Sequence, residues 1–293
     1  MRLLRATIEP KGFFGSAFRG DTLVGQLCWM IRFKEGNRRL NELLGPYKKG
    51  KPFVIVSDPF LHGYLPKPKM PRKLLGEGGD KKRNTKKIWL TLEQLQNGEY
   101  AKAQEERALV DTPRRSFATT RNRINYLKFT TDGKQFAPYG EEYFYPAQDL
   151  YLLVDEEQIE FEKLQELIEM VGGVGYGKDS TIGKGRFELV NFEAVKLQRE
   201  VSNRFMTLLP CVADKEAKNW YEPFVRFGKH GYMRAGFNAF KRPYLLMNSA
   251  AVIEYEKPMR REFTGKAIAD ISLAYPDTIA QGYSILIPLK ESE

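Results

Sequence analysis

The chain has 293 residues, 42 % of them apolar, and a formal charge of +10. That length fits one large or two ordinary domains, the apolar fraction excludes wholesale disorder, and the charge favours a polyanionic partner, nucleic acid before membrane. Two cysteines, Cys28 and Cys211, exclude a cysteine-based zinc site, and no apolar run approaches a transmembrane length. Met1-Arg2-Leu3-Leu4-Arg5 spaces its charges too closely for a secretory leader, so a reducing, cytoplasmic setting is expected.

In chain order, Arg2 to Ile8 alternates as a strand does. An aromatic and glycine-bearing loop follows, Pro10 to Gly20. Asp21 is placed to cap a helix carrying Leu23, Val24, Leu27 and Ile31 on one face. Strand, loop, helix is how a ferredoxin-like βαββαβ unit begins. Phe53 to Val56 reads as a short buried strand. From Lys67 to Lys87 nine bases meet two acids, Glu77 and Asp80, around Gly76, Gly78 and Gly79, so a mobile loop insertion is expected. Ile88 to Thr91 reads as a strand or turn, and Leu92 to Asn97 as a short helix ended by Gly98. Six bases lie between Arg114 and Lys134; Asp132-Gly133 signals a turn, with Glu142 to Tyr145 as a return arm. Leu150 to Val154 reads as a strand and Asp155 to Met170 as a helix with seven acids and one lysine.

Gly172 to Leu189, GGVGYGKDSTIGKGRFEL, interleaves six glycines with Lys178, Lys184 and Arg186. Such a loop lets backbones approach closely and presents N–H groups to anions. Gly172, Gly177 and Lys178 fit G-x-x-x-x-G-K, but Asp179 stands where a magnesium-binding hydroxyl is required, and the flanks run helix to strand rather than strand to helix. A nucleotide P-loop is therefore excluded, while a phosphate-contacting loop stands.

The Gly183-Lys184-Gly185-Arg186-Phe187-Glu188-Leu189 run, placed between a helix and a strand, resembles the signature of the RAMP superfamily of CRISPR RNA-binding proteins. It is most similar to the Csm-type (type III-A) subunit that caps the 5′ end of the guide RNA (crRNA). Leu65-Pro66-Lys67-Pro68 after Phe60 and Tyr64 is a second, shorter match. Arg121-Asn122-Arg123-Ile124-Asn125 resembles a run that family members carry before an inserted β-hairpin, the thumb. The resemblance implies that the first loop approaches the guide. Phe18 then stacks on bases and Arg19 holds a phosphate, while Phe13 and Phe14 fit stacking and core closure equally.

Beyond Val201, Phe205 to Pro210, Tyr244 to Ile253 and Tyr283 to Leu289 read as strands. Arg226 to Arg242 holds five bases and no acid among glycines and aromatics, a further RNA-facing loop. The expected architecture is α+β: two tandem ferredoxin-like (RRM-like) domains, 1–196 and 197–293, with loop and β-hairpin insertions. The expected RNA-facing residues are Phe18 and Arg19; Arg121, Asn122, Arg123 and Asn125; Gly173, Gly175, Gly177, Lys178, Gly183, Lys184, Gly185 and Arg186; and Lys229, His230, Arg234, Lys241 and Arg242.

Catalytic signals are sparse. Histidine occurs twice, at His62 and His230, and no paired-carboxylate, H-E-x-x-H or Ser-His-Asp pattern is present. The expectation is a non-catalytic, cofactor-free and metal-free subunit holding the crRNA 5′ handle, away from any membrane. The resemblance implies two protein partners, a large signalling subunit and a backbone RAMP subunit. The alternative is a metal-independent RAMP endoribonuclease that processes precursor crRNA.

Overall fold

Alternation along β1 (Arg2–Pro10) puts Leu4, Ala6 and Ile8 on one face, all fully buried. The computed structural model describes residues 1–110, 116–131, 137–145, 148–197, 200–236 and 238–291. After β1 the chain forms α1 (Gly20–Lys48), broken at Gly36 (φ 84°), and the edge strand β2 (Val54–Val56). Leu23, Val24, Leu27 and Ile31 face inward, as their spacing requires. Asp21 does not cap α1. Arg19 holds the N-cap position, and Asp21 sits in the first turn, where it receives Arg226 in a fork at 2.6 and 3.1 Å. An acid there also faces the positive end of the helix dipole.

The Lys67 to Lys87 insertion is folded. β3 (Leu65–Pro66), α2 (Lys81–Lys86), β4 (Lys87–Leu90), α3 (Leu92–Asn97) and β5 (Gln104–Glu105) contribute a three-stranded sheet in the order β3–β4–β5. Lys67 pairs with Glu77 and donates to the Asn84 carbonyl at 2.9 Å, so one central acid organises much of the basic run. Thr91 and Gln94 form a capping box, and Gly98 (φ 78°) ends α3.

β6 (Ser116–Arg121) and β7 (Tyr139–Phe144) pair as a separate hairpin. The first unit closes with β8 (Asp149–Val154), α4 (Phe161–Val174) and β9 (Phe187–Ala194). The acidic helix starts at Phe161, later than its charge pattern implied, because Asp155 turns the chain by accepting from Glu157 N and Gln158 Nε2. The sheet order is β2–β8–β1–β9, with every neighbouring pair antiparallel. α1 packs on α4 and β2, and α4 on β9.

The second half holds β10 (Ser202–Thr207), β11 (Lys218–Trp220), β12 (Pro223–Arg226), β13 (Tyr244–Met247), β14 (Val252–Met259), β15 (Phe263–Gly265) and β16 (Tyr283–Leu289). One sheet runs β11–β14–β10–β16–β15, and β12 pairs with β13. Counting β10, β11, β14 and β16 as first to fourth gives the order 2-3-1-4, the order of the first sheet. The helices expected in this half are missing: among the described residues after 200 there is no α-helix. The connections that stand in their place, 208–217 and 266–282, carry Pro210, Pro276, Asp270 (φ 57°) and Gly282, and they lack a helical apolar stripe. Tyr244 to Ile253 is two strands rather than one, turned at Ala250 (φ 63°).

One continuous core joins the halves, from Leu4 and Ile8 through Leu152 and Leu164 to Leu208, Val252 and Ile287. A side chain completes the join. The buried Gln281 amide accepts from Val56 N and donates to Val56 O, both at 3.0 Å, occupying the place of a further strand along β2. Substituting Gln281→Leu leaves two buried backbone groups unpaired, so we expect a loss of about 2–4 kcal/mol in denaturant-induced unfolding. Unchanged stability contradicts this account of the join.

Candidate nucleic-acid interface

The glycine-rich connection after α4 folds back onto the Lys11–Arg19 loop. Tyr176 N donates to Gly185 O (2.8 Å), Gly185 N to Phe13 O (3.0 Å) and Lys11 N to Arg186 O (2.9 Å). Gly185 permits the crossing: at φ 72°, a Cβ there falls 2.0 Å from Tyr176 O. Gly175 is likewise wedged, 2.5 Å from Lys184 O, and Gly177 lies against Ser16. Gly173 and Gly183 face open space. Tyr176 is fully buried, stacked on Phe18 at 4.1 Å and 5.8 Å from Phe14, and its hydroxyl accepts from Arg19 N at 2.8 Å. Phe18 therefore packs the core and presents no face to a base, contrary to the expectation. Phe14 is also core, whereas Phe13 is 39 % exposed.

Arg19 is pinned. Its guanidinium donates to Asp58 Oδ2 at 2.7 Å and lies 5.1 Å from the Phe224 ring centre. Asp58 also accepts from Gly20 N at 3.1 Å. Burial pushes the Asp58 carboxyl up, and the Arg19 charge opposes that rise. Lys178 is paired with Glu141 of β7, which Arg121 also contacts at 2.7 Å. The Glu141 carboxyl is held below its usual range by the hydrogen bond from Lys178 and then by that from Tyr143. Lys184 stands 4.8 Å from the Tyr143 ring centre. Arg186 is exposed and makes no ion pair among the described residues.

The hairpin is fixed to this ledge. Phe14 and Phe144 exchange backbone hydrogen bonds at 2.8 and 2.9 Å, and Phe13 packs edge-on against Phe117 at 4.5 Å. The Arg121–Asn125 run does not precede the hairpin. Arg121 ends the first arm, and residues 122–131 lie beyond the paired arms. Asn125 closes a turn, its carbonyl accepting from Phe129 N (2.7 Å) and its side chain from Leu127 N (3.0 Å). That turn displays Tyr126, Leu127 and Phe129 at 83, 94 and 82 % exposure. Asn122 is exposed, and Arg123 lies 6.0 Å from the Tyr139 ring centre. The Asp132-Gly133 turn falls outside the described residues.

The basic loop of the second half docks on α1 through Tyr232, which packs on Trp29 and Phe33 at 5.3 and 5.5 Å. With Arg226 on Asp21, this brings the loop beside the start of α1. Lys229 lies over Phe240 at 4.4 Å, and Arg234 over Tyr275 at 4.6 Å. Burial lowers the Lys241 pKa, while Arg242 is exposed. His230 is not available to phosphate. It is buried, with Nε2 2.8 Å from Ser272 Oγ, and burial, then Lys241 and Arg234, push its pKa down. A cleft of about 1120 Å³ separates the insertion from the second half, lined by Arg19, Lys69, Arg72, Trp89, Tyr145 and Trp220. The sequence reading missed Tyr176, Glu141 and Trp220; of these, only the position of Tyr176 inside the glycine run was a usable signal.

No family model matches the sequence, and no curated protein matches it. Solved structures do. A chain of the "Csm1-Csm4 cassette in complex with AMPPNP" superposes with a TM-score of 0.61 at 16 % identity, covering 100 % of both chains. A chain of that cassette with cA4 gives 0.60 at 16 %, again over 100 % of both. A chain of the "Csm3-Csm4 subcomplex in the type III-A CRISPR-Cas interference complex" gives 0.60 at 14 %, covering 99 % of this chain and 100 % of that one. Csm4 is the subunit common to these assemblies. The chain has the fold of Csm4.

Two outcomes follow from this geometry. Gly185→Ala forces strain and a backbone clash, so we expect a loss of more than about 2 kcal/mol, read as a lowered unfolding midpoint; an unaltered midpoint contradicts the crossing. The His230 pKa is lowered in the folded chain, so as pH falls below about 6.5 the unfolded chain takes up the proton first. Stability should therefore fall as pH drops from about 7.5 to 5.5, and His230→Asn should lessen that fall. An unchanged slope contradicts the burial-lowered pKa.

Proposed function

We propose that the chain is a non-catalytic crRNA-binding subunit of a type III-A (Csm) CRISPR effector complex in the cytoplasm. It holds the 5′ repeat-derived handle and links the large signalling subunit to the backbone filament. The observation that carries this is the full-length likeness to a subunit found beside Csm1 in one assembly and beside Csm3 in another. In this reading the two sheets of equal strand order are two ferredoxin-like units, the second with loops in place of helices. Among the described residues no helix is long and apolar enough to cross a membrane.

The ledge of the first loop, the glycine-rich loop and the hairpin suits a single-stranded polyanion. Lys178, Lys184 and Arg186 supply backbone charge, and the exposed rings Tyr126 and Phe129 offer stacking faces. Each base–aromatic stack contributes ~1–3 kcal/mol, comparable with the few kcal/mol needed to extrude a base, so the tip is able to splay one nucleotide.

One observation favours the endoribonuclease alternative. His62 Nδ1 lies 2.9 Å from the fully buried Asp149, while its ring is 58 % exposed, the arrangement of a general base with an orienting carboxylate. Incubation with repeat RNA without metal separates the readings. We expect intact RNA; cleavage lost in His62→Ala selects the alternative. For the binding reading, Lys184→Ala and Arg186→Ala should each weaken binding across sequences and reduce the salt slope by about 0.7 to 1. An unchanged slope removes these residues from the interface.

A further inference from the structure

Glu141 is an acid set among cations where the hairpin meets the glycine-rich loop. It is 8 % exposed, and both its oxygens are occupied. Oε1 pairs with Lys178 Nζ; Oε2 lies 2.7 Å from Arg121 Nε and accepts from the Tyr143 hydroxyl at 2.9 Å. The buried Tyr143 ring is flanked by two more contacts, the Arg121 guanidinium at 5.4 Å and the Lys184 ammonium at 4.8 Å. Asp179 faces the same group, adding negative charge near Lys178 and Tyr143. The carboxylate is covered, yet the cations it holds are open: Lys178 is 56 % exposed and Arg121 38 %.

Arginine and lysine bind carboxylate and phosphate through the same charge-assisted hydrogen bonds. A site in which cations reach solvent around an internal carboxylate is thus already built for a second anion. The cations reach solvent, so a polyanion that releases counterions is able to compete for them, provided Glu141 turns out to water as it gives them up. We propose that Glu141 occupies the seat of an RNA phosphate, fastening the hairpin to the glycine-rich loop until RNA takes over Arg121 and Lys178. The inference rests on the RNA-binding reading above and adds to it an internal competitor. That competitor comes from β7, so exchange of anions frees the hairpin from the loop as RNA seats. A phosphate wins only where it reaches Arg121 and Lys178 together, which selects a backbone that crosses from the loop to the hairpin arms over one lying along the loop alone.

Fluorescence anisotropy with a labelled oligouridylate and the full chain tests this. Glu141→Gln keeps the shape and the acceptor for Tyr143 but removes the charge. It should bind about three- to tenfold more tightly at low salt, the worth of one or two screened charge pairs. In the Arg121→Gln/Lys178→Gln background the same change should give no gain. Thermal unfolding of each variant confirms that it is folded. Unchanged or weaker binding by a folded Glu141→Gln, while Lys184→Ala and Arg186→Ala still weaken the parent, overturns this inference alone and makes Glu141 a brace. Absence of any RNA binding by the parent overturns it together with the reading it rests on.

Discussion

The burial of Tyr176 between two loops is the constraint on which the rest of the ledge depends. Its ring lies flat on Phe18 at 4.1 Å with Phe14 and Phe187 around them, and its hydroxyl receives the first backbone N–H of the α1 start. Aromatic pairs of this kind contribute about 0.5–1.5 kcal/mol beyond the area they bury. Burial pushes the phenol far up, so it stays neutral and donates or accepts without bringing charge into the core. Three elements share this one position. The glycine-rich loop carries Tyr176, α1 begins immediately after Arg19, whose N–H it receives, and the hairpin hangs from Phe14 through Phe144. Displacing the ring therefore moves Lys178, Lys184, Arg186 and the hairpin together.

The formal charge of +10 is spread unevenly by ion pairs that cross long stretches of chain. Arg19 meets Asp58, Arg226 meets Asp21, Lys178 meets Glu141 and Lys67 meets Glu77. In each the acid is largely covered, so removing its cation leaves a covered charge unpaired, and each pair fixes the element that carries it. Arg226 on Asp21 carries the second half's basic loop to the start of α1. Lys178 on Glu141 ties the hairpin to the glycine-rich loop. Arg123, Arg186 and Arg242 are exposed and make no ion pair among the described residues, so their charge faces solvent uncompensated.

Local periodicity made much of the first unit legible. The alternation of β1, the apolar face of α1, the capped α3 and the helix-to-strand sense of the glycine run all follow from spacing within a few residues. The return arm of the hairpin was legible for the same reason. What escaped depends on partners far away in sequence. Phe18 and His230 look like ligand residues by composition, and only the packing of Tyr176 and Tyr275 turns them inward. Asp21 has the identity of a cap, but Arg226 claims it from 205 positions away. Gln281 gives no sign in sequence that it completes a sheet edge. The second half has the strand order of the first but no α-helix among the described residues, and strand order is not written in any local pattern.

The central claim is that the first loop, the glycine-rich loop and the hairpin form one surface along which a guide RNA lies. Ultraviolet crosslinking of the native ribonucleoprotein, with mass-spectrometric assignment of the linked residues, tests it most directly. The account predicts links at Tyr126 or Phe129 on the hairpin tip and within residues 178–186 on the same complex. Links confined to the open face of the second sheet, with both of these segments unmodified, contradict it.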